Sequence, residues 1–303
     1  MRHFLSVADA TSHDLRWMLD RADAYRTGTI ESSRIGAPRG ALILERPSLR
    51  TRLAYEGAFH RLGGQLSIFE GGIGTDDTTE DLGRVLSAMV DIALVRTHDH
   101  LWLESLASAS SIPVVNALSD REHPVEVLAD ALVIRDVFGT FVDKTIAFVG
   151  GSGNVCASLL LLAPLLGMHA AVATPPRSAP DPNLLTQAYA LAASAGTRLV
   201  ATDDVETAVL GADVVYTDAW PNLGDAAEEE RRFGPYRVTA EMMAMAAENA
   251  IFLHCLPATR GREVAAEVLD SEASFAFSRL KNLAPASAAA IEWALTTQPA
   301  VSS

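Results

Sequence analysis

Two hydroxyl and two arginine side chains share one short stretch of the chain, Ser48-Leu49-Arg50-Thr51-Arg52. Arginine offers a planar fork that binds a phosphate or carboxylate through two parallel hydrogen bonds. The apolar run before this stretch predicts a buried strand, and the residues after it predict a helix. Free backbone N–H groups and the helix dipole favour an anion at the N-terminus of a helix. The stretch therefore predicts an oxyanion site at a strand-to-helix junction.

Further side chains that could do chemistry stand where strand-like runs end. Arg96 closes one predicted strand, and His123 follows the end of another. Because ligands of parallel sheets bind outside the carboxyl ends of the strands, Ser48, Arg96 and His123 can converge there. Later in the chain, Asp218 and Cys255 also lie where strand-like runs pass into loops.

The order of the predicted elements indicates how these side chains are positioned. Apolar runs of strand length alternate with helical patterns along the chain, which argues for parallel sheets with helices on both faces. A long predicted helix over 125–137 ends at Phe138-Gly139-Thr140, and a new strand follows. A chain of 303 residues suits one large or two medium domains. We therefore place a domain boundary between 135 and 145.

Composition and charge exclude several classes of function. Hydrophobic residues make up 49% of the chain and charged residues 20%, as in ordinary globular proteins. The formal net charge of −14 argues against non-specific nucleic-acid binding, so any anion site must be locally basic. No apolar run reaches the roughly 18 residues of a membrane span, and residues 1–6 lack a signal-peptide pattern. The only cysteines, Cys156 and Cys255, predict a reducing, cytoplasmic location without disulfides.

A glycine-rich turn, Gly150-Gly151-Ser152-Gly153-Asn154-Val155-Cys156, opens the second half of the chain. It is close to a dinucleotide-binding fingerprint, so an NAD-linked dehydrogenase is one alternative. Cys156 occupies the position of the third glycine, and the next predicted strand ends without the acidic residue that binds ribose. Both features count against a dinucleotide site.

Four stretches resemble the aspartate/ornithine carbamoyltransferase family, in the order in which that family carries them. Each is similar to one family motif: Ser48–Arg52 to the Ser-Thr-Arg-Thr-Arg phosphate loop, His123–Asp130 to His-Pro-x-Gln-x-Leu-Ala-Asp, Tyr216–Trp220 to Tyr-Thr-Asp-x-Trp, and His254–Ala258 to His-Cys-Leu-Pro-Ala. The resemblance covers nearly the whole chain and is closest to the ornithine carbamoyltransferases. It implies an α/β fold of two doubly wound parallel-sheet domains: a carbamoyl-phosphate-binding domain over 1–138, on which a C-terminal helix over 284–303 packs back, and an acceptor-binding domain over 139–283.

The resemblance implies an enzyme that moves the carbamoyl group of carbamoyl phosphate to the side-chain amine of ornithine or a related amino acid or diamine. The products would be a ureido compound such as citrulline and phosphate. In this scheme His123 donates to the carbonyl oxygen, where charge develops in the transition state. The catalytic set would be Arg50, His123, Asp218 and Cys255. The residues that would bind carbamoyl phosphate are Ser48, Leu49, Arg50, Thr51, Arg96, His123, Glu126, Cys255 and Leu256.

On the acceptor side, the resemblance implies that Asp218 receives the side-chain ammonium and that Asn154 binds the amino-acid carboxylate. The backbone at Cys255 would lie between the amine and the carbamoyl group. Asn222 and Leu223 occupy the loop that closes on ornithine in the family. No metal or organic cofactor is implied, because catalysis would rest on positioning and electrostatics. The family further implies a homotrimer with sites between subunits and a role in arginine biosynthesis.

Several positions depart from the ornithine carbamoyltransferase pattern. The loop over 71–80 lacks the lysine of aspartate carbamoyltransferases, which argues against aspartate as acceptor. Leu283 stands where the ornithine enzymes have an arginine that contacts carbamoyl phosphate, so Arg279 or Lys281 would have to replace that arginine. Two alternatives stay open: a paralogue with another acceptor or donor, and a binding protein that kept the fold without catalysis. The departing residues are Glu126 for glutamine, Asn222 and Leu223 for Ser-Met, Thr259 for histidine and Leu283 for arginine.

Overall fold

A computed structural model describes residues 2–30, 35–71, 77–221 and 223–296. Their packing separates two units, one formed by the residues up to Leu132 together with those from Lys281 onward, the other by Val133–Leu280. Each unit holds one parallel sheet accompanied by helices. The predicted fold class, two α/β domains with parallel sheets, is confirmed. The functional domain boundaries at 138 and 283 stay predictions.

The first unit is built on a four-stranded sheet with strand order β2-β1-β3-β4. All neighbouring strands are parallel, and Leu44 is in register with both Glu70 and Arg96. The carboxyl ends of the central strands therefore lie side by side at one edge of the sheet. The strands are β1 Arg39–Leu44, β2 Gln65–Glu70, β3 Ile92–Arg96 and β4 Val114–Leu118.

Helices connect these strands and share a core with them. One face of the sheet packs on two helices through a cluster that includes Ile43, Leu86, Val95 and Leu106. The fourth strand begins at Val114, directly after Pro113, which has no N–H for the ladder. The helices are α1 Ser12–Thr27, α2 Leu49–Leu62, α3 Thr79–Met89, α4 His100–Ala109 and α5 Pro124–Phe138.

The second unit contains a five-stranded parallel sheet with strand order β7-β6-β5-β8-β9. Its strands are β5 Thr145–Val149, β6 His169–Ala173, β7 Leu199–Thr202, β8 Val214–Thr217 and β9 Ile251–His254. Its helices are α6 Asn154–Leu166, α7 Pro182–Ala195, α8 Val205–Val209, α9 Ala226–Phe233, α10 Ala240–Met245 and α11 Ala266–Leu269. The strand order reverses between β5 and β8, and such a switch point is where ligands bind in open parallel sheets.

The last helix, α12 Leu283–Leu295, returns to the first unit and packs on α1 and α2. Its only carboxylate, Glu292, is fully buried and accepts hydrogen bonds from Arg21 at 2.8 and 2.6 Å and from the Tyr25 hydroxyl at 2.9 Å. The predicted return of the C-terminal helix is thus confirmed. Like every other helix in the described ranges, α12 is not long and apolar enough to cross a membrane.

Candidate active site

The hydroxyls predicted to bind an anion lie together at the N-terminus of α2. Ser48 is the N-cap residue, and its Oγ lies 3.0 Å from the Thr51 Oγ1. Arg96, at the end of the neighbouring strand β3, donates from Nη1 to the same Thr51 Oγ1 at 2.9 Å. A guanidinium and two hydroxyls therefore meet at the start of a helix of 14 residues. Donors of these types at a helix N-terminus can bind a phosphate or carboxylate.

Leu49, Arg50 and Arg52, the other residues of the Ser48–Arg52 loop, differ in the groups that they can contribute to an anion site. Leu49 has 72% of its surface exposed, so its backbone N–H is the group it can contribute. Arg50, the second residue of α2, is half-buried. Arg52 is paired with Glu56 at 3.0 Å and with Glu70 at 3.1 Å. Arg52 therefore serves the helix surface, while Arg50 and Arg96 are the arginines of the predicted anion site.

Glu45, which sequence reasoning did not single out, fixes the strand ends beneath this loop. Its Oε2 accepts hydrogen bonds from the His98 N–H at 2.7 Å and from the Thr97 hydroxyl at 2.9 Å. The bond from His98, followed by that from Thr97, lowers the pKa of Glu45. The Glu45 N–H also donates to the Arg96 carbonyl at 2.9 Å. These contacts join residues about fifty positions apart, so they cannot be predicted from a local sequence pattern.

His123 and Glu126 lie together at the start of α5. The His123 carbonyl accepts from the N–H of Glu126 at 3.2 Å, so the histidine immediately precedes the helix. The Glu126 Oε2 lies 3.3 Å from the His123 Nε2. Glu122, just before the histidine, is buried and accepts a hydrogen bond from the Val7 N–H at 3.0 Å. The structure thus supplies an imidazole at the edge where β4 ends, with a carboxylate beside it.

In the second unit the structure brings Asp218 and Cys255 into contact. Thr217 and His254 are in register on the adjacent strands β8 and β9, so the residues that follow them are neighbours. The Cys255 thiol donates to the Asp218 Oδ1 at an Sγ–O distance of 2.8 Å. The same oxygen accepts from the Ala219 N–H at 2.6 Å. A partly buried carboxylate in this position can receive an ammonium group.

A buried histidine and glutamate support the turn that carries Cys255. The His254 Nδ1 accepts from the Leu256 N–H at 2.8 Å, and its Nε2 faces the Glu263 Oε1 at 3.4 Å. Burial would raise the pKa of Glu263, but hydrogen bonds from His254 and from the Thr259 N–H outweigh it and lower that pKa. Leu256 has a φ of 61°, which is uncommon for a residue with a side chain. Sequence reasoning recognised the His-Cys-Leu-Pro motif but missed Glu263.

Within the described residues, the donor atoms of Asp218, His254 and Cys255 lie within 4.8 Å of one another. These residue types can ligate a transition metal. The His254 ring, however, accepts a backbone hydrogen bond at one nitrogen and faces the Glu263 carboxylate with the other. We therefore assign His254 to support of the turn, and only Asp218 and Cys255 to the pocket that would receive an amine.

The glycine-rich turn after β5 leads into α6, whose first residue is Asn154. Gly150 has a φ of 125°, and a Cβ there would lie 3.2 Å from the Thr217 Oγ1 and 3.6 Å from the Trp220 Nε1. Glycine is therefore required for the turn to approach Trp220, which stacks on Phe233 at 5.6 Å. Gly153, the N-cap residue, provides no side-chain cap for α6, and the N-terminus of a helix favours an anion.

Cys156, in the first turn of α6, is fully buried. Burial, and then the charge of Asp218, raises the pKa of the Cys156 thiol. A thiol held in its neutral form is a poor nucleophile. The residue at the third-glycine position is therefore a packing residue.

The remaining residues predicted from the sequence are those of the acceptor loop and those near the start of α12. Leu223 is 37% exposed, and its N–H donates to the Glu229 Oε1 at 2.9 Å. Asn222 and residues 72–76 of the predicted loop lie outside the described residues. Leu283 is the first residue of α12 and is buried, Arg279 is fully buried, and Lys281 is exposed. Whether either cation replaces the missing arginine stays a prediction.

Comparison with known proteins identifies the family. Residues 2–136 match the aspartate/ornithine carbamoyltransferase carbamoyl-P binding domain, and residues 142–294 match the Asp/Orn binding domain of the same family. The ornithine carbamoyltransferase of Methanothermobacter thermautotrophicus is 40% identical over 299 residues, covering 97% of this chain and 98% of that protein. The chain belongs to the aspartate/ornithine carbamoyltransferase family.

Solved structures agree with this assignment. The ornithine carbamoyltransferase of Gloeobacter violaceus superposes with a TM-score of 0.90 at 33% identity, covering 98% of this chain and all of that one (100%). That of Pyrococcus furiosus gives a TM-score of 0.91 at 33% identity, with 96% of each chain covered. The glycine-rich turn falls within the Asp/Orn binding domain match, so the dehydrogenase alternative is set aside.

Proposed function

We propose that this protein transfers the carbamoyl group of carbamoyl phosphate to the side-chain amine of ornithine. The observation that carries the proposal is the 40% identity with the Methanothermobacter ornithine carbamoyltransferase over 97% of the chain. The amine nitrogen bonds to the carbonyl carbon, the bond from that carbon to the phosphate oxygen breaks, and the amine loses a proton. The products are citrulline and phosphate.

On the donor side, we assign phosphate binding to Ser48, Arg50, Thr51 and Arg96 and to the backbone N–H of Leu49. The contacts among Ser48, Thr51 and Arg96, at 3.0 and 2.9 Å, support this assignment because they preorganise the donors. His123 donates to the carbonyl oxygen as charge develops there.

On the acceptor side, Asp218 receives the ammonium of ornithine. The 2.8 Å contact between the Cys255 thiol and the Asp218 carboxylate supports a shared pocket for the amine. The backbone of Cys255 and Leu256 orients the carbamoyl group, and Asn154 at the start of α6 binds the α-carboxylate. Asn222 and Leu223 contact the rest of the amino acid.

Assembly and cellular role extend the same proposal. We propose a homotrimer with sites between subunits, acting in the cytoplasm in arginine biosynthesis without a metal or organic cofactor. Light scattering on the purified protein would then give about three times the chain mass of 32.3 kDa. A monomeric mass with full activity would refute the assembly.

The test of the activity is a direct assay for ureido product. Carbamoyl phosphate is supplied with ornithine, lysine, putrescine or aspartate in separate reactions, and the product is identified by mass spectrometry. Citrulline from ornithine, with kcat/KM at least about a hundredfold above the other amines, is the expected result. Product from another amine alone would identify a paralogue with a different acceptor. Absence of product with every amine would refute the transferase.

A further inference from the structure

A cavity of about 410 Å³ lies at the amino edge of the first sheet, opposite to the edge that carries Arg96. Three strands begin at this cavity: Arg39 is the first residue of β1, Asp91 precedes β3 and Pro113 precedes β4. Its lining belongs entirely to the first unit. Because β1 has six residues at about 3.3 Å each, the two edges are roughly 17 Å apart. The cavity is therefore separate from the proposed donor site.

Two arginines supply positive charge to the cavity wall. The Arg2 guanidinium lies 3.5 Å from the Asp14 carboxylate and 5.0 Å from the centre of the Trp293 ring. Arg39, whose side chain is 58% exposed, pairs with Asp91 at 3.2 Å. Within the described ranges, each guanidinium donates to a single carboxylate oxygen. Since a guanidinium carries five N–H donors, both arginines can also bind the carboxylate of a ligand.

The same cavity has groups that favour a positive charge. The helices α3 and α12 both end there, because their C-cap residues Val90 and Thr296 are part of the lining. The last carbonyls of a helix lack partners within the helix, and the helix dipole is negative at that end. The Asp91 carboxylate accepts from the Arg39 N–H at 2.7 Å, and this bond, followed by that from the guanidinium, lowers the pKa of Asp91. Asp91 is therefore ionised at neutral pH.

The rest of the lining is apolar or carries hydroxyl groups. Ile112, Pro113 and Ala294 are buried apolar residues of the wall, and Ser111 is an exposed residue beside them. The Ser111 N–H donates to the Ser87 Oγ at 2.9 Å, which joins the end of α3 to the segment before β4. Small-molecule sites in proteins begin at about 300 Å³, so the volume suits a small ligand with an aliphatic part.

We propose that this cavity binds a free α-amino acid. The ligand carboxylate lies between the guanidinium groups of Arg2 and Arg39, and the ligand ammonium faces Asp91 and the carbonyl ends of α3 and α12. An α-amino acid carries both charges on one carbon, so it matches a small cavity whose walls offer both signs. The site is distinct from the acceptor pocket at Asp218, and it does not depend on the proposed function.

Calorimetry on Asp218→Asn tests the site, because this variant lacks the carboxylate assigned to the amine of an acceptor. The standard amino acids are titrated one at a time, each to millimolar concentration. We expect at least one of them to bind with a Kd of about 1 mM or tighter. The amide of that amino acid lacks the carboxylate, and acetate lacks the ammonium. Each of these partial ligands should bind at least about tenfold more weakly.

Two further substitutions, each made in the Asp218→Asn protein, locate the bound amino acid. Arg39→Gln removes one guanidinium, and Ser111→Trp fills the cavity but keeps both arginines and the backbone N–H of residue 111. Either change should raise the Kd at least about tenfold. The matched controls should leave the Kd unchanged. They are Arg84→Gln, which also loses an ion pair of 3.2 Å, and Ser108→Trp, at an exposed position of α4 outside the cavity lining.

Three results would overturn the inference. The first is that no standard amino acid binds the Asp218→Asn protein at millimolar concentration. The second is a Kd that stays the same in either cavity variant, which would place the ligand elsewhere. Both variants change exposed positions, and if one fails to fold the other decides. The third is acetate bound as tightly as the amino acid, which would show a simple anion site. None of these results depends on whether the protein forms citrulline.

Discussion

The anion loop of the first unit and the Asp218–Cys255 pair of the second unit are built in opposite ways. In the loop, Ser48 and Thr51 lie three residues apart, and one helical turn brings their hydroxyls to 3.0 Å. Asp218 and Cys255 are 37 residues apart and meet only because β8 and β9 pair in a particular register. A local motif can therefore be recognised in the sequence, whereas a pair of residues at two strand ends depends on how the sheet assembles.

The two regions also differ in their support. Behind the loop, Glu45 is exposed, and one of its two hydrogen-bond donors, His98, is exposed as well. Behind Cys255, His254 and Glu263 are both fully buried. The comparison predicts that loop substitutions act mainly on binding, while substitutions behind Cys255 act on stability too.

The largest effect should come from Asp218→Asn. The amide carries no negative charge and cannot form an ion pair with an ammonium, so kcat/KM for ornithine should fall about a thousandfold, while the Kd for carbamoyl phosphate changes little. Steady-state kinetics and a donor titration measure both quantities. Asp213→Asn is the control, because Asp213 pairs with Lys144 at 2.8 Å at the other end of β8. An equal loss in both variants would argue that Asp218 acts only through folding.

A smaller effect is expected for Arg96→Ala. Loss of a charged hydrogen bond to phosphate, of about 2 to 3 kcal/mol, should raise the Kd for carbamoyl phosphate about a hundredfold. Arg84→Ala removes an exposed arginine that pairs with Asp81 on α3, and should leave the Kd unchanged. If Arg96→Ala weakened the binding of ornithine but not that of carbamoyl phosphate, the assignment of Arg96 to the donor site would be wrong.

Glu263→Gln tests the buried support in the second unit. The lowered pKa of Glu263 means that its ionised form stabilises the fold above its ordinary pKa of 4.5, and that this stability is lost as pH falls through the folded pKa. The variant should lose about 1 to 2 kcal/mol of unfolding free energy at pH 7, and the difference should narrow below about pH 4.5. Urea unfolding at several pH values measures the difference in unfolding free energy between the variant and the wild type. The control is Glu228→Gln, at an exposed carboxylate. A difference independent of pH would show that packing, not charge, is lost.

The smallest effects concern Leu49, the first residue of α2. Because its side chain is exposed, Leu49→Ala should change the Kd for carbamoyl phosphate by less than about twofold. Leu49→Pro keeps a residue suited to the first helical position but removes the N–H, so the Kd should rise about tenfold. Calorimetry on both variants checks this. Equal affinities would show that the Leu49 N–H does not contact the donor.

Much of the fold could be predicted from the sequence. Alternating apolar runs and helical patterns predicted two parallel sheets, because the central strands of such a sheet are buried on both faces. The motif around Ser48 predicted a helix after Arg52, and α2 begins earlier, at Leu49, because Ser48 caps it. Contacts such as Glu45 with Thr97 were not predicted, because side-chain partners from distant strands leave no periodic signal in the sequence.

The sequence alone determined the family, the α/β class and the residue types available for chemistry, because these follow from local patterns and from motifs of fixed spacing. Only the tertiary structure decided which of those residues touch. It turned Arg52 toward Glu56 and Glu70, joined Arg96 to Thr51, and set Cys255 against Asp218. Register and strand order fix such contacts, and both are set by packing over the whole sheet rather than by any one segment.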